Sequence, residues 1–192
     1  MVEDKPRRIL DAAVRVFAAQ GYDASRVGDV AKEAGVAYGL VYHYYGSKDA
    51  VLEAVFREAW GRLLAAVALA EETGEDAAEQ LELVVKIVLR SWRDAPDLVR
   101  LLVREVTRNP HIQDELDEIG QAFATLERMI RRGQADGAFR ADLDPKLAAW
   151  MLYGALEEVL TGWVLGQLPD DADAVAAAER EVTATMVGGL RA

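Results

Sequence analysis

Three residues, Ala31, Gly35 and Val41, have the spacing of a helix-turn-helix. A small Ala lets two helices cross closely, Gly lets the chain turn through a left-handed conformation, and Val anchors the second helix. The spacing predicts a short helix over residues 26–34 and a second over about 38–44. A chain with this motif is therefore constrained to place two short helices across one another near its N-terminus.

Helical periodicity extends along almost the whole chain. Apolar residues recur every three or four positions, and clusters of Gly, Pro and Asp separate the periodic segments. A first helix is predicted over 6–20, where Gly21 stops it, and a longer one from its N-cap Ser47 to about Ala70. A stripe over 112–130 predicts a helix of about 25 residues. The sequence thus predicts an all-α fold of about nine helices, three N-terminal and about six C-terminal.

The net charge is distributed unevenly. The chain of 192 residues carries −11, but residues 1–50 hold seven Lys or Arg and seven Asp or Glu, so the negative excess lies in 51–192. No Asp, Glu, Lys or Arg occurs from Ala34 to Ser47, although four of the six tyrosines and one of the two histidines do. A segment free of carboxylates and rich in Tyr hydroxyls favours a surface that meets a polyanion. We interpret it as the DNA-reading element of the helix-turn-helix.

Composition excludes several classes of protein. There is no cysteine for a disulfide, and two histidines, His43 and His111, cannot form a zinc cluster. No nucleophile or metal-ligand spacing accompanies the acidic residues, so neither an enzyme nor a cofactor is expected. The N-terminus lacks a signal pattern, and no apolar run reaches the roughly 18 residues needed to span a bilayer. We expect a cytoplasmic protein without a metal or a membrane partner.

A pattern of short segments is recognisable in the N-terminal quarter. It consists of Ile9-Leu-Asp-Ala-Ala-Val-Arg-Val-Phe17, Gly21-Tyr22, Val30-Ala-Lys-Glu-Ala-Gly-Val36, Leu40-Val-Tyr-His-Tyr-Tyr45 and Ser47-Lys48. The pattern resembles the tetracycline-repressor (TetR) family of bacterial transcription regulators. The resemblance implies a DNA-binding domain, here 1–50, and an all-helical domain that binds a small molecule and forms a homodimer, here 51–192. The long helix predicted to follow Ser47 is expected to connect them.

The resemblance also implies roles for individual residues of the DNA-binding domain. Ser25, the predicted N-cap of helix 26–34, and Arg26 match phosphate contacts. The base-reading positions are Tyr38, Gly39 and His43, and the backbone-contact positions are Tyr42, Tyr44 and Lys48. Leu40 departs from the family, since many members carry Thr or Ser there; either that contact is missing or Leu40 touches a thymine methyl group. Val41 and Tyr45 are predicted to face inward.

A further segment, Leu156-Glu-Glu-Val-Leu-Thr-Gly-Trp163, together with Arg108-Asn109, is similar to the fatty-acid-degradation subgroup of the family, whose ligand is a long-chain acyl-CoA. This similarity implies a dimeric repressor that a small apolar effector releases from a palindromic operator. A regulator of efflux that senses a drug-like compound is the alternative within the family. A small-molecule-binding protein or enzyme that does not act on DNA is the alternative outside it.

Candidate residues for the effector pocket and the dimer interface come from the C-terminal two thirds. Large aromatic and Met side chains line apolar pockets, and residues 147–156 are apolar nearly all round, more than a one-sided helix requires. The pocket candidates are Trp92, Leu102, Val106, Phe123, Leu126, Met129, Trp150, Met151 and Tyr153. The interface candidates, on this helix and an Ala-rich last helix predicted to run to Gly188, are Leu156, Val159, Leu160, Trp163, Val182 and Met186.

Overall fold

The computed structural model describes residues 4–73, 76–106 and 117–192, except for the side chains of Val106, Asp117 and Glu118. These ranges contain nine α-helices. They are α1 (Lys5–Gln20), α2 (Val27–Ala34), α3 (Tyr38–Tyr45), α4 (Lys48–Thr73), α5 (Ala77–Asp94), α6 (Pro96–Val106), α7 (Asp117–Ala135), α8 (Pro145–Val164) and α9 (Ala172–Val182). The predicted all-α fold is confirmed. The start of the predicted 112–130 helix and the Val106 side chain lie outside the described residues.

Two predicted helix boundaries are wrong. The α2 helix begins at Val27 with Arg26 as its N-cap, because the Asp29 carboxylate accepts the Arg26 backbone N–H at 2.9 Å. The Ser25 hydroxyl instead donates to the Gly21 carbonyl oxygen at 2.5 Å. At the C-terminus α9 ends at Val182, and the chain continues as a π-helical turn, Thr183–Val187, and a 3₁₀ turn, Gly188–Leu190.

The turn between α2 and α3 has the predicted geometry. Gly35 is left-handed, with φ 64° and ψ 38°, and the Val36 N–H donates back to the Ala31 carbonyl oxygen at 3.0 Å. This conformation favours Gly because it has no Cβ. The Arg8 guanidinium of α1 donates to the Ala34 carbonyl oxygen at 2.8 Å, which fixes the end of α2 against α1.

One compact unit comprises residues 1–59 together with 95–115. In its described part α1 packs against α2 and α6, and α2 packs against α3. Ile9, Phe17 and Phe56 are fully buried in its core. This unit differs from the predicted domain of residues 1–50, because α6 contributes to it through its contact with α1. The functional division at residue 50 remains a prediction.

The other compact unit comprises residues 60–94 and 116–192. Within it α5 packs against α7, α8 and α9, and α7 packs against α8. Its fully buried side chains include Leu81, Leu89, Met129, Ile130 and Phe139. Helix α4 contributes its first half to one unit and its second half to the other. Among the described residues, no helix combines the length and the apolar content that a bilayer span requires.

Candidate nucleic-acid interface

One face of α3 is fixed to the rest of the first unit. Val41 is fully buried, and the half-buried Tyr45 donates its hydroxyl hydrogen to the Pro6 carbonyl oxygen at 3.0 Å. Both residues were predicted to face inward, and both do. The hydrogen bond from Tyr45 ties the end of α3 to the start of α1, so the orientation of the opposite face is set by two separate contacts.

The opposite face of α3 is exposed and uncharged. Tyr38 is 56% exposed, and Gly39, Tyr42, His43 and Tyr44 are exposed as well. The Tyr38 and Tyr42 hydroxyl oxygens lie 3.1 Å apart and their ring centroids 5.0 Å apart. The hydrogen bond to Tyr42 raises the pKa of Tyr38. A tyrosine hydroxyl is protonated at neutral pH even at its ordinary pKa of about 10, so this face carries no negative charge.

Lys48 does not extend into solvent. Its ammonium donates to the Tyr22 carbonyl oxygen at 2.8 Å and to the Ser25 carbonyl oxygen at 3.2 Å. It also lies 4.1 Å from the centroid of the Tyr22 ring, within the range of a cation–π contact. Lys48 thus ties the α1–α2 connection to the start of α4, and the expected phosphate contact stays a prediction.

Tyr22 is the residue on which these contacts converge, and sequence reasoning assigned it no role. Its hydroxyl donates to the Asp49 carboxylate, and its ring packs edge-on against Phe17 at 5.3 Å between centroids. Burial, followed by the bond to Asp49, raises the pKa of the Tyr22 hydroxyl. The adjacent pair Lys48-Asp49 was the available signal, because neighbouring opposite charges can bind the backbone and the hydroxyl of one tyrosine.

The two residues before α2 differ in exposure. Ser25 is only 3% exposed, and its hydroxyl donates to the Gly21 carbonyl oxygen, so the expected phosphate contact is not prepared by this side chain and stays a prediction. Arg26 is exposed at the N-terminus of α2, where the helix dipole also favours an anion. Of this pair, only the Arg26 side chain is placed to reach a phosphate.

Most of the pocket candidates lie in the second unit. The Phe123 ring stacks on Trp150 at 4.3 Å between centroids, and the Tyr153 ring lies tilted against it at 4.6 Å. Burial raises the pKa of the Tyr153 hydroxyl to about 12. Leu126, Met129 and Trp92 are buried. Leu102, on α6, belongs to the first unit and is half-buried.

On α8, some candidates for the pocket are exposed, and some candidates for the interface are buried. Trp150 and Met151, expected in the pocket, are 55% and 57% exposed, and Leu147 of the same helix and Leu165, the residue that follows it, are also exposed. Leu156 and Trp163, expected in the interface, are buried within the subunit. Trp163 stacks on Trp92 at 6.2 Å between centroids and donates its indole N–H to the Pro169 carbonyl oxygen at 3.0 Å.

The other interface candidates are either buried or half-buried in the subunit. Val182 is buried, and Val159, Leu160 and Met186 are half-buried. Successive residues of an α-helix point about 100° apart, so a helix that is apolar all round has to expose part of its apolar surface.

Two cavities are lined mainly by charged side chains. One of about 360 Å³ lies between α5 and α9, where Arg90 makes a bidentate ion pair with Glu179 at 2.8 and 3.0 Å beside Arg93. The other, of about 270 Å³, is bordered by Asp29 and Lys32 of α2. None of the predicted pocket residues lines either cavity.

Comparison with known proteins identifies the fold. A family model described as bacterial regulatory proteins of the tetR family matches residues 9–55, and a model described as the C-terminal region of YsiA-like protein matches residues 56–186. The chain belongs to the TetR family. This TetR-family protein is 29% identical to the fatty acid metabolism regulator protein of Bacillus subtilis (strain 168), over 99% of its own length and 98% of the relative's.

Solved structures of TetR-family proteins agree with this assignment. The fatty acid degradation regulator FadR from Bacillus halodurans superposes with a TM-score of 0.87 and 29% identity, covering 100% of this chain and 98% of that one. FadR from Bacillus subtilis in complex with stearoyl-CoA gives a TM-score of 0.86 and 29% identity, covering 96% and 99%. The predictions of a TetR-family transcriptional repressor and of a resemblance to the fatty-acid-degradation subgroup are confirmed.

Proposed function

We propose that this TetR-family repressor binds a palindromic operator as a homodimer and is released from it by a long-chain acyl-CoA. The observation that carries the proposal is the similarity, along nearly the whole chain, to fatty acid metabolism regulators, one of which was solved with stearoyl-CoA. The aromatic cluster of Phe123 and Tyr153 and the buried Leu126 and Met129 supply apolar surface suited to an acyl chain.

On the DNA, α3 enters the major groove with its exposed face toward the bases. Tyr38, Gly39, Leu40 and His43 face base edges, and Arg26 and Tyr44 approach phosphates. Tyr42, whose hydroxyl accepts a hydrogen bond from Tyr38, contributes its ring to the base-reading face instead of the expected backbone contact. Two copies of α3 then lie about one helical turn, roughly 34–36 Å, apart. The charge distribution supports this orientation, because the acidic residues of 51–192 repel the phosphates, whereas residues 1–50 are neutral.

A second copy of the chain covers the exposed apolar face of α8. Leu147, Trp150 and Met151 of this 20-residue helix, and Leu165 directly after its end, are each more than half exposed. A row of large apolar side chains in water is the usual mark of a protein interface. We assign a second copy of the chain to this face, because an operator with two half-sites needs two α3 helices related by a twofold axis.

The effector acts through α4. This helix runs for 26 residues from Lys48 to Thr73, and its first turn lies three residues beyond the end of α3. A ligand that binds the DNA-free conformer more tightly shifts the population toward that conformer by no more than its differential affinity. A tilt of α4 would then move the two α3 helices off the operator spacing.

A titration of the protein–operator complex tests the effector. Full-length protein is bound to a fluorescent duplex from its own upstream region, and stearoyl-CoA, free coenzyme A and stearate are added in parallel. We expect stearoyl-CoA to weaken DNA binding at least about tenfold, within the usual range of allosteric coupling, and neither fragment to do so. Release by apolar drug-like compounds, with no response to stearoyl-CoA, would establish the efflux-regulator alternative instead.

A further inference from the structure

The outward face of α3 lacks every side chain that makes a bidentate hydrogen bond with a base. Proteins read guanine in this way with Arg or Lys, and adenine with Asn or Gln. None of these residue types occurs in Tyr38–Tyr45, where the exposed side chains are three tyrosines and His43, with Leu40 half-buried beside them. Tyr and His offer single hydrogen bonds, which discriminate less between bases than a bidentate pair.

Tyr38 and Tyr42 form an apolar ridge along this face. Their rings are in contact, and one hydroxyl hydrogen is used in the bond between them. The Tyr38 ring also lies against α2, since a Cβ built on Gly28 would lie 3.8 Å from two of its ring carbons. The pair is therefore braced in place, and it presents mainly ring carbon to the outside.

Gly39 leaves a notch next to this ridge. Apart from its chain neighbours Tyr38 and Leu40 and the backbone of α3 itself, no atom lies within 4 Å of a Cβ built on Gly39. Because consecutive helical residues point about 100° apart, the notch lies between the Tyr38–Tyr42 ridge and Leu40. A group on a base edge can approach the α3 backbone there and contact apolar side chains on both sides.

We propose that α3 reads its half-site chiefly through thymine, with the 5-methyl groups of T·A pairs seated in the Gly39 notch between Leu40 and the Tyr38–Tyr42 ridge. The inference rests on α3 being the reading helix, as proposed above. The thymine methyl is the apolar group that the major-groove edges of the four bases present, so it is the feature that ring carbons and a Leu side chain recognise.

The test uses base analogues in an operator obtained by selecting duplexes with a randomised core on the full-length protein. Failure to recover any sequence-specific duplex would overturn the DNA-binding role itself, which separates that outcome from a failure of thymine reading. In the selected operator, each thymine is replaced in turn by deoxyuridine, which removes only the methyl group, and each guanine by 7-deazaguanine, which removes only the N7 acceptor.

We expect a loss of about fourfold in affinity for each contacted methyl group, the value for withdrawing one such group from an apolar contact. The 7-deazaguanine duplexes should bind within about twofold of the parent, because no bidentate guanine contact is made. Thymine reading is overturned if every deoxyuridine duplex binds within about twofold of the parent, or if the losses with 7-deazaguanine exceed those with deoxyuridine.

Protein variants locate the contact. In Leu40→Ala the ratio of Kd for deoxyuridine to Kd for thymine should fall from about four toward one at the thymines that Leu40 touches. The ratio does not depend on the fraction of folded protein, so a loss of stability does not imitate the effect. Leu69→Ala, at an exposed leucine of α4, should leave every ratio unchanged. Unchanged ratios in both Leu40→Ala and Tyr38→Ala would remove these side chains from the proposed contact.

Discussion

The Lys48 ammonium lies 2.8 Å from the Tyr22 carbonyl oxygen and 4.1 Å from the centroid of the Tyr22 ring. A lysine at the start of the helix that follows a DNA-reading helix is therefore engaged by the protein itself. The Lys48 ammonium joins the α1–α2 connection to α4. The next residue, Asp49, accepts the hydrogen of the Tyr22 hydroxyl. The position of α3 relative to α1 and α2 depends on this cluster, because only two residues separate the end of α3 from Lys48.

Lys48→Ala should destabilise the protein without changing the salt dependence of DNA binding. The substitution removes the ammonium donor from two carbonyl oxygens, of which that of Tyr22 still accepts the Ser25 N–H at 3.2 Å, and hydrogen bonds from a charged group contribute about 1.5–3 kcal/mol. Thermal unfolding and the slope of log K against log salt, measured on the same sample, check both parts. Lys86→Ala, at a half-buried lysine of α5, is the control for loss of a lysine. A slope reduced by about one would show that Lys48 contacts a phosphate after all.

Gly39→Ala should weaken DNA binding while making the free protein slightly more stable. A Cβ at this position meets nothing within 4 Å beyond its chain neighbours and the backbone of its own helix, and Ala is favoured over Gly in a helix by about 0.5–1 kcal/mol. Gly61→Ala, at an exposed α4 glycine with equally open surroundings, should give the same stability gain and unchanged DNA affinity. Equal DNA affinity for the two variants would show that DNA does not approach Gly39 closely.

Met151→Glu should shift the protein from dimer to monomer without unfolding it. The side chain is 57% exposed in the subunit, so the charge is tolerated in the monomer but is desolvated when a second copy covers α8. Sedimentation velocity measures the assembly, and circular dichroism measures the helical content. By contrast, Trp163→Ala should lower the stability of the subunit by about 3–5 kcal/mol, because it empties a buried position. A dimer that persists in Met151→Glu and Leu147→Glu alike would place the interface elsewhere.

Glu157→Gln should raise the melting temperature at pH 7 and change it little at pH 4. Burial, and then the neighbouring Glu158 carboxylate, raises the pKa of Glu157 above its ordinary value of 4.5. A raised native-state pKa means that this group supports folding fully below pH 4.5, and that the support is lost as pH rises through the native-state pKa. Gln keeps the shape and removes the charge. Glu181→Gln, at an exposed position of α9, is the control, and an equal effect from both would exclude burial as the cause.

The number and type of the helices were predictable because they depend on the order of residues within each short segment of the chain. The Gly35 turn follows from the conformation that Gly favours, and the Ser47 N-cap follows from the hydrogen-bonding capacity of Ser. The inward position of Val41 follows from its place in the helical pattern. The Ser47 hydroxyl accepts the Ala50 N–H at 3.0 Å, as an N-cap does. A repeat of apolar residues every three or four positions likewise forms a helix almost regardless of what covers it.

The partners of polar side chains were not predictable, because they lie far away in the sequence. Lys48 and Tyr22 are brought together by the packing of α1, α2 and the start of α4, and the burial of Ser25 follows from the same packing. The family resemblance assigned Ser25 and Lys48 to the phosphates by matching their positions in the chain. Only the folded chain shows that their polar atoms are already bonded.

By itself, the sequence determined an all-α chain with a helix-turn-helix and an uncharged, tyrosine-rich reading helix. The tertiary structure decided which side of the apolar helix α8 is buried. Trp150 and Trp163 are equally apolar and lie on the same helix, but 13 positions at 100° each place them on different faces. Packing against Trp92 buries Trp163, whereas Trp150 remains exposed at the surface of the subunit. Periodicity gives no preferred face in a helix that is apolar all round, so the neighbouring helices make that choice.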